Sequence, residues 1–92
     1  MRISFDYDGT FNTERGKELA QRKRTEGHTL YIISARGSKE SINGDFIPSS
    51  RIYATGSNTE KVAKVKSLSI DIHYDNNQDV VNALPGIGRI FN

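Results

Sequence analysis

The chain alternates short apolar runs with longer segments in which apolar residues recur at helical spacing. Five runs rich in apolar, β-branched and aromatic residues predict strands, at 2–6, 29–34, 51–55, 70–75 and 88–91. Helices are predicted between these strands, at 13–27, 57–69 and 77–84, with a short helix and a loop within 35–48. Strands separated by helices favour an α/β fold with a mostly parallel, five-stranded sheet and right-handed crossovers.

Local sequence features support one of these strands and two of the helix boundaries. The run "TLYIIS" at 29–34 is almost continuously apolar, as a strand buried on both faces of a parallel sheet requires. Gly27 is placed to cap the end of the first helix, and Ser57 and Glu60 have capping-box spacing at the start of the second. Ligands of open parallel sheets bind beyond the carboxyl ends of the strands, so residues at those ends are candidates for a site.

Composition narrows the class of protein. A chain of 92 residues predicts one small domain, 1–92, without room for a second. The absence of cysteine excludes disulfides and thiolate zinc sites, so any metal would have oxygen ligands. The net charge of +2 is compatible with a nucleic-acid partner without indicating one. No long apolar segment or secretory leader pattern is evident, which favours a soluble cytoplasmic protein without a membrane partner.

The stretch "ISFDYDGTF" places Asp6 and Asp8 two residues apart where the first strand gives way to Gly9. On an extended strand such residues point to the same face, so their carboxylates would repel each other. Solvation of both groups, a proton on one, or a cation between them would each make the pair tolerable.

Three other positions meet Asp6 at the same edge of the predicted sheet. Asp6 ends the first strand, Ser34 the second and Asp75 the fourth. Lys61 falls in the first turn of the helix that follows the third strand, whereas Lys64 lies about one turn further along the axis. These positions predict one site made of carboxylates, a hydroxyl and an ammonium group.

Three further residues are excluded from this site. Asp71 begins its strand, about 13 Å from the carboxyl end, and therefore lies at the opposite edge. His28 is excluded for the same reason. His73 is interpreted as a partly exposed strand residue rather than as a ligand.

The site has the groups that a metal-bound phosphate needs. Asp6, Asp8 and Asp75 supply the hard oxygens that Mg²⁺ prefers, and the cation would make the first two tolerable as neighbours. Ser34 offers a hydrogen-bond donor and Lys61 a positive charge for the remaining phosphate oxygens.

Nearly end to end, the chain resembles a phosphohydrolase of the haloacid dehalogenase superfamily in one of its smallest, capless forms. "FDYDGT" resembles the first motif of that family, which implies Asp6 as nucleophile and Asp8 as general acid and base. "LYIIS" resembles the second motif, with Ser34 as the phosphate-binding hydroxyl. "EKVAKVKSLSIDIHYDNNQD" resembles the third and fourth, with Lys61 as phosphate-neutralising lysine and Asp75 as metal ligand.

The resemblance implies a three-layer, Rossmann-like fold without a cap and a Mg²⁺-dependent phosphomonoester hydrolase that forms an aspartyl-phosphate on Asp6. Asn76 stands where many relatives have a second acid, so Asp79 is the candidate for the remaining metal ligand beside Asp6, Asp8 and Asp75. Thr10 and Arg36 are further candidates for contact with the substrate; Arg36 could equally form a structural ion pair.

A capless site implies that a large substrate, or a neighbouring subunit of a homo-oligomer, closes it. The weakly basic balance and Arg36 favour a nucleotide or a nucleic-acid end as the phosphorylated substrate.

Two alternatives stay open. A response-regulator receiver domain also gathers acids, a hydroxyl and a lysine around Mg²⁺, but its phosphoacceptor ends a strand in mid-chain, where "RIYAT" here lacks a carboxylate. A catalytically idle binding protein could retain the same motifs.

Overall fold

A computed structural model describes all 92 residues and contains five strands and three helices. The elements in chain order are β1 (Arg2–Phe5), α1 (Glu14–Thr25), β2 (Thr29–Ser34), β3 (Ile52–Ala54), α2 (Asn58–Ser67), β4 (Ile72–Asp75), α3 (Gln78–Asn82) and β5 (Gly88–Ile90). The strands form one sheet in the order β3-β2-β1-β4-β5, and every pairing is parallel. The predicted α/β class with a five-stranded parallel sheet is therefore confirmed.

Apolar side chains fill both faces of the sheet. Alternate residues of a strand point to opposite faces, so Ile3 and Phe5 of β1 face one way and Ser4 the other. One buried cluster joins the first face to α1 and the segment before β3, and comprises Ile3, Phe5, Tyr7, Phe11, Ala20, Leu30, Ile32, Ile42, Ile47 and Ile52. The other cluster joins the second face to α2 and α3, and comprises Tyr31, Ile33, Val65, Ile70, Val80 and Leu84. The result is a three-layer arrangement with helices on both sides, compatible with a Rossmann-like fold.

The helix boundaries follow the caps expected from the sequence. The hydroxyl of Thr13 accepts a hydrogen bond from the Gly16 amide (3.0 Å) and starts α1. The hydroxyl of Ser57 accepts one from the Glu60 amide (3.1 Å) and starts α2. Gly27 follows α1 with a φ of +94°, the left-handed conformation that glycine adopts at helix ends.

The segment between β2 and β3 has less regular structure than the predicted helix and loop. It contains only two single 3₁₀ turns, Lys39–Ser41 and Ser49–Arg51. Its Ile42 and Ile47 are buried in the first cluster, so this segment covers the core and does not form a cap over the sheet edge.

The first strand ends one residue earlier than predicted, and a tight turn over Tyr7–Phe11 follows it. The Phe11 amide donates to the Asp6 carbonyl (3.0 Å), which closes the turn around Gly9 at a φ of +76°. Gly16 lets α1 pack onto this turn, because a Cβ at that position would lie 1.7 Å from the Thr10 carbonyl oxygen. Helix α1 therefore holds the segment that carries Asp6 and Asp8.

The opposite edge of the sheet holds the two residues that the sequence excludes from the site. Asp71 accepts a hydrogen bond from the Arg2 amide (2.7 Å), and His28 contacts the N-terminal amine (3.1 Å). Both placements are confirmed. None of the helices has the length and apolar character needed to cross a membrane.

Candidate functional site

A single buried lysine joins the two aspartates that follow β1 and end β4. The ammonium of Lys61 lies 2.9 Å from Asp6 Oδ1 and 2.9 Å from Asp75 Oδ2, and only 3% of its side chain is exposed. Its position in the first turn of α2 brings it to the carboxyl edge of the sheet. Lys64 instead lies over the ring of Tyr53. The preference for Lys61 over Lys64 at this edge is confirmed, while its role stays a prediction.

The carboxylates of Asp6 and Asp75 have pKa values shifted in opposite directions. Burial raises the pKa of Asp6 above its ordinary value, and Lys61 only partly opposes this. Burial also acts to raise the pKa of Asp75, but hydrogen bonds from His73 and Lys61 outweigh it and lower that pKa. The surroundings of Asp75 therefore stabilise its ionised form, whereas Lys61 does not fully offset the effect of burial on Asp6.

Asp8 turns away from Asp6 and pairs with another cation. Its carboxylate accepts Arg36 Nε at 2.8 Å and Arg36 Nη2 at 2.6 Å. The guanidinium also lies over the ring of Tyr7 and donates to the carbonyl and hydroxyl of Ser41. Strand β1 ends at Phe5, so both aspartates follow the strand instead of lying on it, and the charge of Asp8 is paired with Arg36.

The hydrogen bonds from Arg36 lower the pKa of Asp8. We expect Arg36→Ala to raise the pKa of Asp8 towards its ordinary value, because the ionised carboxylate loses its charged donor. The stability that this pair contributes is present at neutral pH and is lost as the pH falls through the lowered pKa, so the variant should lack that part of the acid dependence.

The carbon-13 shift of the Asp8 carboxyl group, followed during an acid titration, measures this change. Arg89→Ala is the matched control, because Arg89 contacts only main-chain carbonyls near β5. An Asp8 midpoint that is the same in both variants would show that the ion pair does not form in solution.

Two oxygens, one of Asp6 and one of Asp8, converge on the side chain of Asn76. With its amide nitrogen directed towards them, Asn76 donates to Asp6 Oδ2 (3.1 Å) and to the main-chain oxygen of Asp8 (3.3 Å). Gly9 leaves room for this side chain, since a Cβ there would lie 2.3 Å from a terminal atom of the Asn76 amide. The positive end of an amide dipole therefore occupies a position that two oxygen acceptors share.

Ser34 and Thr10 are both buried next to this region. The Ser34 hydroxyl oxygen accepts the Arg36 amide (3.0 Å), and its own hydrogen has no acceptor within the chain. The Thr10 hydroxyl has no hydrogen-bond partner, although the carbonyl of Thr10 accepts from Thr13. Ser34 lies at the edge as predicted, whereas Thr10 is enclosed beneath the turn and α1.

Asp79 does not join the other acids. Its side chain is exposed and lines a shallow groove between α2 and α3, and its amide donates to the Asn77 side chain (2.9 Å). No group of three or more acidic, histidine or cysteine side chains converges as a metal would require. The four-carboxylate metal set of Asp6, Asp8, Asp75 and Asp79 is therefore not assembled in this conformation, since Asp8 and Asp79 point elsewhere.

His73 contradicts its prediction as a partly exposed strand residue. It is fully buried, with Nε2 at 2.9 Å from Asp75 Oδ2 and Nδ1 at 2.6 Å from Ser4 Oγ. The sequence held a signal for this contact, because residues 73 and 75 of one strand share a face. Ser4 could not be found in that way, since its proximity depends on the pairing of β1 with β4.

The chain matches no protein-family model, no curated protein and no solved structure with which it was compared.

Proposed function

We propose that this protein is a Mg²⁺-dependent phosphomonoester hydrolase of the haloacid dehalogenase type, with Asp6 as the nucleophile. The observation that carries the proposal is the buried ammonium of Lys61, which binds Asp6 and Asp75 together at the carboxyl edge of a parallel sheet. Ligands of such sheets bind at this edge. A carboxylate whose ionisation is disfavoured by burial, beside a fixed cation, is typical of a functional site.

In the first step a carboxylate oxygen of Asp6 forms a bond to phosphorus while the bond to the leaving oxygen breaks. The ammonium of Lys61 and the free hydroxyl hydrogen of Ser34 would stabilise charge on the phosphoryl oxygens. In the second step water attacks the phosphorus of the aspartyl-phosphate, which releases inorganic phosphate and restores the Asp6 carboxylate.

Asp8 would give a proton to the leaving oxygen and later accept one from the attacking water. Its ion pair with Arg36 opposes protonation, so this role requires the pair to open. A substrate phosphate is the group that could open it, because guanidinium binds phosphate oxygens in the same bidentate way as carboxylate. Arg36 would then contact the substrate and free Asp8 in one movement.

Two carboxylates and one main-chain oxygen at this edge would hold the magnesium ion of the proposed reaction. Mg²⁺ is commonly held by one or two carboxylates together with waters and substrate phosphate, so Asp6, Asp75 and the main-chain oxygen of Asp8 are a sufficient set. The Asn76 amide would leave its position between Asp6 Oδ2 and the Asp8 carbonyl. A bound magnesium supplies charge neutralisation for the phosphoryl group and lowers the cost of ionising Asp6.

The substrate class follows from the open edge. Within residues 35–51, Arg36 pairs with Asp8 while Ile42 and Ile47 are buried in the core, so we infer that this segment does not close over the site as a lid. A large phosphomonoester, such as a nucleotide or a nucleic-acid end, or a second subunit of a homo-oligomer, would supply the cover. Arg36 and the net charge of +2 favour an anionic, nucleotide-like substrate.

The experiment is hydrolysis of an aryl phosphate by the purified chain with Mg²⁺ and with EDTA, followed by acid quenching to trap phosphorylated protein. We expect turnover that requires Mg²⁺ and a hydroxylamine-sensitive phosphate on Asp6. Stable phosphorylation by acetyl phosphate without turnover would favour a receiver-like protein. Neither turnover nor phosphorylation, with Mg²⁺ bound, would favour an idle binding protein. A panel of nucleotides, oligonucleotides, sugar phosphates and phosphopeptides then tests the substrate class.

A further inference from the structure

A continuous chain of buried hydrogen bonds runs from the middle of β1 to the proposed nucleophile. Ser4 contacts His73 (2.6 Å), His73 contacts Asp75 (2.9 Å), and Lys61 joins Asp75 to Asp6 at 2.9 Å each. Ser4, His73 and Asp75 are essentially inaccessible to solvent. The aspartates and Lys61 have roles in the proposed function, whereas the serine and the histidine have none.

Chemistry fixes the direction of these hydrogen bonds. An ionised carboxylate has only acceptors, so His73 must donate from Nε2 to Asp75 Oδ2. In the neutral ring Nδ1 is then the acceptor and the Ser4 hydroxyl is the donor. The parallel register places Ser4 directly beside His73, so the sheet itself holds the two groups together.

The contacts of Asp75 show which hydrogen bonds hold its carboxylate in place. Its Oδ2 accepts both Lys61 and His73, and its Oδ1 accepts the Asn77 amide (3.0 Å). Without His73 the carboxylate would keep one side-chain donor and could rotate about its last bond. Rotation would move Oδ2 away from Lys61 and would change the oxygen that Asp75 offers to the proposed magnesium.

We propose that His73, whose Nε2–H donates to Asp75 while Ser4 holds Nδ1, is a positioning residue that fixes the Asp75 carboxylate and, through it, the Lys61 ammonium. It is fully buried and is therefore not itself a ligand of substrate or metal in this proposal. The role in cation binding rests on the proposed function. Partners that orient a ligating group typically change metal affinity or activity by about 10- to 100-fold when they are removed.

Two amide substitutions separate positioning from simple core filling. His73→Gln has an amide nitrogen at the reach of Nε2 and retains a donor for Asp75. His73→Asn is one methylene shorter, so its amide reaches the level of Nδ1 and leaves Asp75 without that donor. We expect the dissociation constant for Mg²⁺, measured by calorimetry, to rise about 10- to 100-fold in His73→Asn and only a few-fold in His73→Gln.

The same pair should differ in kinetics at saturating Mg²⁺. We expect kcat for the aryl phosphate to fall about 10-fold or more in His73→Asn, with KM little changed, because the Lys61 ammonium is displaced from the position required in the transition state. If kcat falls equally in both variants and in proportion to their loss of stability, His73 only fills the core and the proposal is wrong.

If the wild-type chain binds no Mg²⁺, the proposed function fails, but the positioning role of His73 can still be tested by NMR spectroscopy. Nitrogen-15 spectra of the metal-free protein should show His73 as the Nε2–H tautomer, and Ser4→Ala should shift the Nδ1 signal, because Nδ1 then loses its hydrogen-bond donor. The ammonium signal of Lys61 and the carboxyl signal of Asp75 should move in His73→Asn and stay near their wild-type positions in His73→Gln. Signals unmoved in both variants, or an Nδ1–H tautomer in the wild type, would refute the positioning role.

Discussion

Asp6→Asn is expected to lose hydrolysis of aryl phosphates by a factor on the order of 10⁴ or more, because the amide cannot form the phosphorylated intermediate. The measurement is kcat/KM in excess Mg²⁺, together with the absence of acid-stable phosphate on the protein. Mass spectrometry of the variant is the necessary control, since deamidation of the new asparagine restores the nucleophile. Activity of the undeamidated variant near the wild-type level would eliminate Asp6 as nucleophile.

The same substitution is expected to stabilise the fold. Burial raises the pKa of Asp6, so the stability associated with its protonated form is lost as the pH rises through that pKa. The introduced amide does not ionise, so the variant should exceed the wild type in unfolding free energy at neutral pH in EDTA, and the difference should vanish in acid. Mg²⁺ should stabilise the wild type and not the variant. A variant that is less stable than the wild type at neutral pH would show that Lys61 fully compensates Asp6.

Lys61→Met should destabilise the protein by about 3–5 kcal/mol, because two buried carboxylates then share no cation. Activity should fall by about 100-fold or more in the fraction that folds, since the phosphoryl oxygens lose their ammonium. Urea denaturation measures the first effect. Lys64→Met is the matched control on the same helix, where the loss of a contact with the ring of Tyr53 should cost at most about 1 kcal/mol.

The pairing of Lys61 with Asp6 can be isolated with a double-mutant cycle. In the Asp6→Asn background one of the two carboxylates is already neutral, so Lys61→Met should cost less than in the wild type. The effect of Lys61→Met in the Asp6→Asn background can also be measured if Lys61→Met alone unfolds the wild type. Additive effects of the two substitutions would show that Lys61 and Asp6 do not interact, and the central ion pair of the site would have to be abandoned.

The strands and helices that carry this site can be predicted from the sequence, because they follow from the spacing of apolar residues. The apolar run Thr29–Ser34 matches β2 at both ends, and the Ser57 cap starts the second helix where it was expected. These local patterns decide which residues reach the carboxyl edge. Asp6, Ser34, Lys61 and Asp75 all lie there, and the resemblance to a known family assigns the same four positions.

The partners of those residues could not be predicted in the same way. The sequence does not show that β1 ends before both aspartates or that the turn over Tyr7–Phe11 has Gly9 at positive φ. The ion pair of Asp8 with Arg36 depends on how two loops pass each other. Asp79 points into a surface groove because its helix begins with a cap from Asn77, and nothing in the spacing from Asp75 reveals that direction.

The position of β1 at the centre of the sheet has a consequence for how the chain folds. Its pairing with β2 closes a loop of modest length, whereas its pairing with β4 joins residues 69 positions apart, as between Ser4 and His73. Loop-closure entropy disfavours the second pairing, so contacts of this kind form late and slow the folding of α/β proteins. During ribosomal synthesis β1, β2 and β3 leave the ribosome before residues 72–75 do, so they can associate first. Asp6 then lies in a partial sheet without its buried partners, and the arrival of β4 completes the hydrophobic layer and the ion-pair network in the same event.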